Sequence, residues 1–157
     1  MTLPKATQTV VAAAREHGLE IEVSEFPKGT KTAADAAAAI GCNVGAIVKS
    51  LVFTVDDSPV LALVPGDLHL DTDRLAAVVG GGSAQRATLD AVRSATGFAA
   101  GGTPPFGHAS RLPVYADNLL RRHDPVWAAG GTPTTVFPLA IADLDRVVGP
   151  EWVDISQ

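Results

Sequence analysis

The stretch IVKSLVFTVDDSPVLALVPG, residues 47–66, contains two apolar runs rich in Val and Leu that are separated by the turn sequence DDSP. Apolar, β-branched runs bounded by Asp, Ser and Pro are typical of strands joined by a turn. Residues 47–55 and 60–66 are therefore predicted to form a β-hairpin, and a sheet is the first expected feature of the fold.

Helical and strand patterns flank this hairpin on both sides. Residues 5–17 carry apolar side chains at helical spacing, and Thr32, with Asp35 three residues on, precedes an alanine-rich run that Gly41 ends. Because strands and helices mix without regular βαβ alternation, the predicted class is α/β (mixed α+β), a mixed, largely antiparallel sheet surrounded by helices. Further helices are predicted from Asp71 or Thr72 to Gly80, over 88–96 and over 142–148, and further strands over 21–26, 112–117, 125–131 and 134–139.

The composition is that of a folded protein. Of 157 residues, 46% are hydrophobic and 18% are charged, and no repeat or linker divides the chain, so residues 1–157 are expected to form a single domain. No apolar run approaches the roughly 18–20 residues of a membrane span. Cys42 is the only cysteine, so no internal disulfide can form. We expect a cytoplasmic protein with no membrane partner.

The net charge of −5 limits the kinds of polyanion that the protein can bind. A protein that wraps a long phosphate backbone is usually basic, so DNA is not an expected partner. The charge does not exclude a protein that holds one terminal nucleotide, because a few local cations suffice for that.

Familiar catalytic signatures are absent from the sequence. There is no phosphate-binding G-x-x-x-x-G-K-[ST] and no G-x-S-x-G. The four histidines lack the spacing of a metal site, so neither a metal nor a cofactor is expected. Cys42 is interpreted as a small buried side chain, because nothing near it in sequence would activate a thiol.

Lys49 interrupts an apolar strand. Burying an ammonium group costs free energy unless an anion meets it. One interpretation is a lysine on a solvated strand face. The other is a fixed cation that points into a pocket, where an anion ~4 Å away would gain roughly 4 kcal/mol at an effective dielectric constant near 20.

The segment GGTPPFGH, residues 101–108, is predicted to be a rigid loop. Gly101 and Gly102 permit positive φ angles or close approach to a ligand, whereas Pro104 and Pro105 fix φ. Backbone groups held in this way need no reorganisation when charge develops, which is the basis of an oxyanion-type site. The alternative is a rigid crossover between two elements.

Two further features of the loops have more than one interpretation. His108 is a base, a ligand contact or a brace of its own loop. In GGTPTTVF, residues 130–137, the hydroxyls of Thr132, Thr134 and Thr135 contact a polar ligand or satisfy the backbone of a turn.

Six segments occur in a distinctive order along residues 24–155: TAADAAAAIG, IVKSLVF, LALVPGDLHLD, ATGFAAGGTPPFGH, LPVYAD and AGGTPTTVF. Together they resemble YbaK/EbsC-type proteins, free-standing relatives of the editing domain that is inserted in bacterial prolyl-tRNA synthetase. The resemblance implies a mixed sheet with helices around a deep pocket. It also implies metal-independent hydrolysis of the ester that links a wrong amino acid to tRNA.

The resemblance also assigns roles to residues. Lys49 matches the family's lysine, which meets the phosphate of the terminal adenosine or the ester region. The Gly101–Pro105 loop positions the ester and the ribose hydroxyl, whose 2′-oxygen assists the attacking water. The expected catalytic residues are thus Lys49, Gly101 and Gly102. Phe26, Lys28 and Thr32 are expected to line the pocket entrance because of their place after the first strand, and the other expected substrate-binding residues are Ser50, Pro105, His108 and Thr132.

The expected function is that of a trans-acting aminoacyl-tRNA deacylase that binds the acceptor end of mischarged tRNA. The family points to tRNA for proline carrying a smaller amino acid such as alanine, cysteine or serine. Editing is needed because one methylene gives only about 1–3 kcal/mol of discrimination. One alternative is a non-catalytic module that binds a nucleotide or RNA end; another is an unrelated hydrolase using Cys42 or His108. The oligomeric state is not indicated by the sequence.

Overall fold

The computed structural model describes residues 2–26 and 32–157 and contains helices and strands in mixed order. Helices α1 to α5 span Lys5–Glu16, Ala33–Ile40, Thr72–Val79, Leu89–Thr96 and Ile141–Val148. Strands β1 to β8 span Ser24–Glu25, Val48–Val55, Ser58–Pro65, Ala84–Arg86, Val114–Asp117, Val126–Ala129, Thr135–Leu139 and Glu151–Val153. No helix in these described ranges is long and apolar enough to cross a membrane.

The strands form two sheets. The larger sheet has the order β4-β2-β3-β5-β8, in which β2 is antiparallel to β3 and β4, whereas β5 is parallel to β3 and β8. The smaller sheet, β1-β7-β6, is antiparallel throughout. A bridge between Ile47 and Trp127 brings the two sheets together. The expected mixed, largely antiparallel arrangement is confirmed, with the strands divided between two sheets.

The hairpin predicted from residues 47–66 is confirmed as β2 and β3. The two strands pair without interruption from Val48 opposite Pro65 to Val55 opposite Ser58. Asp56 and Asp57 form the turn with φ angles of 49° and 70°. Positive φ at both central residues is the requirement of the type I′ turn, which matches the twist of the strands it joins.

Strand β3 lies in the core with both of its faces covered. Leu61 and Leu63 pack into one apolar cluster, with Phe137 among its members, whereas Ala62 and Val64 pack into a second. A strand covered on both sides must be apolar at consecutive positions. This packing explains the unbroken apolar run that the sequence shows here.

Side chains cap the helices at the positions that the sequence predicted. The Thr32 hydroxyl accepts a hydrogen bond from the Asp35 amide at 3.1 Å, and α2 is followed by Gly41 in the left-handed conformation. Asp71 caps α3, and Thr88 caps α4 in the same way. Each cap satisfies backbone donors that the first turn of a helix leaves unpaired.

Asp117, at the end of β5, connects the sheet to the C-terminal segment. Its side chain is buried and accepts three backbone hydrogen bonds, from Leu119 at 2.8 Å, Ile155 at 2.9 Å and Ser156 at 2.8 Å. The segment held in this way pairs in turn with residues 69–71 through backbone hydrogen bonds. Asp117 therefore fixes the position of the chain that follows β3.

We expect Asp117→Asn to lower the free energy of unfolding by about 1–3 kcal/mol, because an amide nitrogen cannot accept a hydrogen bond and leaves a buried donor unpaired. Thermal denaturation measures the loss. Asp90→Asn, at an exposed position of α4, is the matched control and should change stability little. Equal stability of the two variants would contradict the anchoring role.

Candidate active site

A cavity of about 480 Å³ lies between α2, β2, β4, β6 and two glycine-containing loops. Its volume is within the range of about 300–1,000 Å³ that is usual for small-molecule pockets. The lining comprises residues 32–34 and 36 at the start of α2, residues 47–51 of the β2 segment, residues 127–129 of β6 and residues 132, 133, 135 and 136 before and within β7, together with Gly66, Arg86, Gly101 and Thr103.

Five residues predicted for the site line this cavity together: Thr32, Lys49, Ser50, Gly101 and Thr132. They come from α2, β2 and two separate loops, so the fold unites positions that are far apart in the chain. Lys28 lies outside the described residues.

The other predicted residues surround this lining set. Phe26 donates its backbone N–H to the Thr134 carbonyl at 2.8 Å and so attaches the end of β1 to the second loop. Gly102 and Pro105 are buried, and neither is among the lining residues of the cavity. Direct contact of these residues with a substrate stays a prediction.

Lys49 is half-buried on β2, and its Nζ donates a hydrogen bond to the Leu68 carbonyl. The pKa of Lys49 is lowered, first because burial disfavours the charged form and also because Arg86 adds a like charge, while the Asp67 carboxylate opposes the shift. An ammonium group has three N–H donors. The bond to Leu68 therefore leaves donors that can meet a ligand in the cavity.

Asp67 is itself fixed by a two-pronged salt bridge. Arg122 donates from Nη2 to Oδ1 at 2.8 Å and from Nη1 to Oδ2 at 3.2 Å, which lowers the pKa of Asp67. Bidentate pairing of this kind restricts both side chains. The carboxylate that supports the charge of Lys49 is thus held in one place.

Gly101 and Gly102 have different structural roles. Gly101 lines the cavity with a φ of 87°. A Cβ atom added to Gly102 would lie 2.7 Å from Cα and 2.8 Å from the carbonyl carbon of Thr132, so the two loops touch backbone to backbone at this point. Glycine at position 102 is therefore required by the close approach of the loops.

The amide groups of the first loop are not all used by the fold. The Gly102 N–H donates to the Ala99 carbonyl at 3.1 Å. Within residues 2–26 and 32–157, the N–H groups of Gly101 and Thr103, which both line the cavity, donate to no partner. These two amides are candidate donors to an oxyanion. Sequence reasoning missed Thr103, because spacing alone does not show which amide of a loop is unpaired.

Threonine side chains hold the second loop. The Thr132 and Thr135 hydroxyls lie 2.8 Å apart, and the Thr132 amide donates to Thr135 Oγ1 at 3.2 Å. Thr7 of α1 approaches the same Thr135 oxygen at 3.5 Å. These hydroxyls form the hydrogen bonds that hold the turn, and Thr132 and Thr135 also line the cavity. The two interpretations of the second loop are therefore compatible.

His108 braces the first loop. Its Nε2 lies 2.7 Å from the Pro104 carbonyl, and because a carbonyl only accepts, this nitrogen carries the proton. Burial lowers the pKa of His108 and favours the neutral ring. Of the three interpretations of this residue, the brace has a contact that supports it, and a ligand contact stays a prediction.

Cys42 and His108 are not joined in the part of the chain that the structure describes. Cys42 packs against the α2 cluster, where burial raises the pKa of its thiol, and no hydrogen bond links it to the His108 ring. An unrelated hydrolase that pairs the two therefore has no geometric support. The described residues also contain no group of three or more His, Cys, Asp or Glu side chains placed to hold a metal ion.

Ser50 and Trp127 complete the lining. Ser50 lines the cavity, and its Oγ is buried without a hydrogen-bond partner among the described residues. Trp127 provides an aromatic surface on β6. Because side chains alternate between the two faces of a strand, the face on which Trp127 lies could have been predicted once β6 was identified.

We expect Gly102→Ala to lower the free energy of unfolding by about 1–3 kcal/mol, because a methyl group would separate the two loops. Thermal denaturation gives the magnitude, and the backbone amide NMR signal of Thr132 should shift. Gly82→Ala is the control, since a Cβ there would lie at an ordinary 3.5 Å from Asp56 Oδ1. Unchanged stability and an unchanged Thr132 signal would contradict the contact.

We also expect Lys49 to lose its proton below the usual lysine pKa of about 10.4, and Asp67→Asn to move that titration to still lower pH. The variant removes the carboxylate that favours the ammonium form of Lys49. It also leaves the positive charge of Arg122 unpaired, which lowers the pKa of Lys49 as well. NMR titration of lysine labelled at Cε, with the Lys49 signal assigned by its loss in Lys49→Ala, measures both. A titration at the same or higher pH in Asp67→Asn would overturn this electrostatic account.

The chain matches known proteins in sequence. Residues 27–147 match the family model described as "Aminoacyl-tRNA editing domain". The chain is 28% identical over 126 residues, 80% of its length and 77% of the relative's, to the "Putative Cys-tRNA(Pro)/Cys-tRNA(Cys) deacylase EbsC" of Enterococcus faecalis. It is 36% identical over 121 residues to the proline–tRNA ligase of Maridesulfovibrio salexigens, a match that covers 76% of this chain and only 18% of the ligase.

The fold also matches a solved structure. A crystal structure described as that of a "putative trans-editing enzyme for prolyl tRNA synthetase" superimposes with a TM-score of 0.94 and 40% identity over 99% of both chains. The mixed arrangement of helices and strands is therefore shared along the whole length. With its helices, its two sheets and residues 27–147 all matching, this chain belongs to the aminoacyl-tRNA editing domain family, related to the editing domain of prolyl-tRNA synthetase.

Proposed function

We propose that this protein is a trans-acting aminoacyl-tRNA deacylase that hydrolyses the ester of mischarged tRNA. One observation carries the proposal: Lys49, with its half-buried side chain, lines the same cavity as Gly101 and Thr103, whose N–H groups donate to no partner among the described residues. The tetrahedral intermediate of ester hydrolysis carries a negative charge, which cationic and N–H donors held in fixed positions stabilise.

The reaction requires a water molecule to attack the ester carbonyl carbon. The carbonyl oxygen becomes negatively charged in the tetrahedral intermediate, where the Lys49 ammonium and the loop amides stabilise it. When the bond between the carbonyl carbon and the ribose oxygen breaks, the ribose oxygen takes a proton, which gives free amino acid and uncharged tRNA. The 2′-hydroxyl of the terminal ribose assists the water, as the family resemblance implies.

The polar residues of the lining are consistent with assistance from the substrate. Among the described residues that line the cavity, the polar side chains are those of Thr, Ser, Lys and Arg, and no Asp, Glu, His or Cys is present. Apart from Lys49, which the proposal uses in its charged form, these residues supply no protein general base. A substrate hydroxyl that orients the water would fill that role.

The apolar part of the lining suits an uncharged amino acid side chain. Part of the cavity wall is formed by the short side chains of five alanines, at positions 33, 34, 36, 128 and 129. We propose tRNA for proline carrying a residue smaller than proline as the substrate. The names of the Enterococcus faecalis relative and of the similar crystal structure, which refer to tRNA(Pro) and to prolyl-tRNA synthetase, support this choice.

A non-catalytic module that binds an RNA end is the second candidate. The same absence of a protein base from the described lining favours it, because binding alone requires no base. Both candidates place the acceptor end in one cavity, so turnover distinguishes them.

The test is a deacylation panel with tRNAs charged with alanine, cysteine, serine, threonine and proline. We expect selective release of a small amino acid, and a loss of about 100-fold or more in rate in Lys49→Ala, as is typical when an oxyanion donor is removed. Lys5→Ala, at an exposed position of α1, is the matched control and should keep full activity.

Each other outcome contradicts part of the proposal. Full activity of Lys49→Ala would remove Lys49 from the mechanism. Absence of release from every charged tRNA by the folded protein, together with binding of uncharged tRNA, would favour the non-catalytic module.

A further inference from the structure

A buried hydroxyl on α1 reaches the second loop of the cavity. Thr7 has no solvent-exposed surface, and its Oγ1 donates to Thr135 Oγ1 at 3.5 Å, across 128 positions of the chain. The backbones are also close here, because a Cβ atom added to Gly131 would lie 3.1 Å from the Thr7 nitrogen. Thr7 is not among the lining residues of the cavity, so any effect that it has on a ligand passes through Thr135.

The hydrogen bonds at Thr135 Oγ1 fix the direction of its own hydrogen. A hydroxyl has one hydrogen to donate and two lone pairs that accept. Thr135 Oγ1 accepts from the Thr7 hydroxyl at 3.5 Å and from the Thr132 amide at 3.2 Å, so both lone pairs are occupied. The 2.8 Å hydrogen bond between the Thr135 and Thr132 hydroxyls therefore uses the hydrogen of Thr135.

The same count applies to the hydroxyl of Thr132. Its Oγ1 accepts from the Thr135 hydroxyl and from the Thr134 amide at 3.3 Å, so its own hydrogen has to point to a different acceptor. Among the described residues, the remaining hydrogen-bond partner of Thr132 Oγ1 is the Thr134 hydroxyl, at a long 3.4 Å. Because Thr132 lines the cavity, an acceptor oxygen of a ligand can take this hydrogen in a shorter bond.

We propose that Thr7 is a positioning residue that directs the hydroxyl hydrogen of Thr132 into the cavity. Without the Thr7 hydroxyl, one lone pair of Thr135 Oγ1 is vacant. Thr135 then donates to the Thr132 carbonyl oxygen, which lies 3.3 Å away, and accepts the hydrogen of the Thr132 hydroxyl. The chain of hydroxyls is thereby reversed, and Thr132 has no hydrogen to offer a ligand.

The place of Thr132 beside the first loop indicates which ligand atom accepts this hydrogen. Thr132 touches the backbone of Gly102, whose neighbours in the chain, Gly101 and Thr103, have N–H groups that donate to no partner among the described residues. The Thr132 hydroxyl is thus a third donor to the carbonyl oxygen that becomes negative during ester hydrolysis. This role of Thr132 rests on the proposed function, because it takes an ester as the ligand.

Neutron diffraction tests the direction of the hydroxyl chain without a substrate, because it locates hydrogen atoms directly. In crystals of the perdeuterated, unliganded protein, the hydroxyl deuterium of Thr135 should point to Thr132 Oγ1. In Thr7→Val it should point to the Thr132 carbonyl. A deuterium that points to this carbonyl in the wild-type protein would overturn the inference, and so would an unchanged direction in Thr7→Val.

Kinetics on mischarged tRNA test the consequence for catalysis. Thr132→Val should lower kcat about 100-fold, as is typical when an oxyanion donor is removed. Thr7→Val should lower kcat about tenfold, the effect of one neutral hydrogen bond, with little change in KM because the charge develops only in the transition state. Thr7→Ser keeps the hydroxyl and should restore kcat.

Thr9→Val is the matched control, because Thr9 is exposed on the same helix and its hydroxyl donates to the Lys5 carbonyl. It should leave kcat and KM unchanged. A loss of activity in Thr9→Val equal to that in Thr7→Val would contradict the positioning role, since any substitution of a threonine on α1 would then have the same effect.

The double variant separates positioning from a general effect on the fold. In the Thr132→Val background, Thr7→Val should cause no further loss of kcat, since its effect passes through Thr132. Losses that multiply, or full kcat in Thr7→Val, would overturn the positioning role and leave the deacylase proposal standing. A protein with the expected hydrogen direction that releases no amino acid from any charged tRNA would refute the deacylase proposal and leave the role of Thr7 in the hydroxyl chain standing.

Discussion

The pairing of β2 with β3 is the interaction on which the other elements depend. β3 is covered on both faces, and the sheet extends from both sides of the hairpin, through β4 next to β2 and through β5 next to β3. The same hairpin provides the Lys49 ammonium from one strand and, just beyond the other, the Leu68 carbonyl that holds it. The β2–β3 hairpin therefore both forms the centre of the core and positions the charge of Lys49.

The cavity combines groups of modest reactivity whose positions are fixed. Asp67 is held by Arg122, the loop of Gly101 is braced by His108, and the loop of Thr132 is held by its own hydroxyl network. In a site without a strong nucleophile among its described lining residues, stabilisation of the transition state depends on donors that do not have to move. The rigidity that the prolines and glycines indicated is consistent with this requirement.

The sequence predicted the features that depend on local chemistry. The hairpin turn and the caps at Thr32 and Thr88 follow from residue types within a few positions. Strand β4, which carries Arg86, has only three residues and is too short to show a period. The contact of Gly102 with Thr132 joins positions thirty residues apart, and no local pattern reports such a contact.

Helix α1 lies outside the segment that matches the family, residues 27–147, yet it packs directly behind both loops. Added Cβ atoms would meet the Ala6 carbonyl carbon at 2.9 Å from Gly131 and the Ala13 Cβ at 3.0 Å from Gly107. The segment that matches the family model and the set of elements that hold the two loops are therefore not the same part of the chain. Substitutions on the inner face of this helix would therefore move both loops through residues that do not line the cavity.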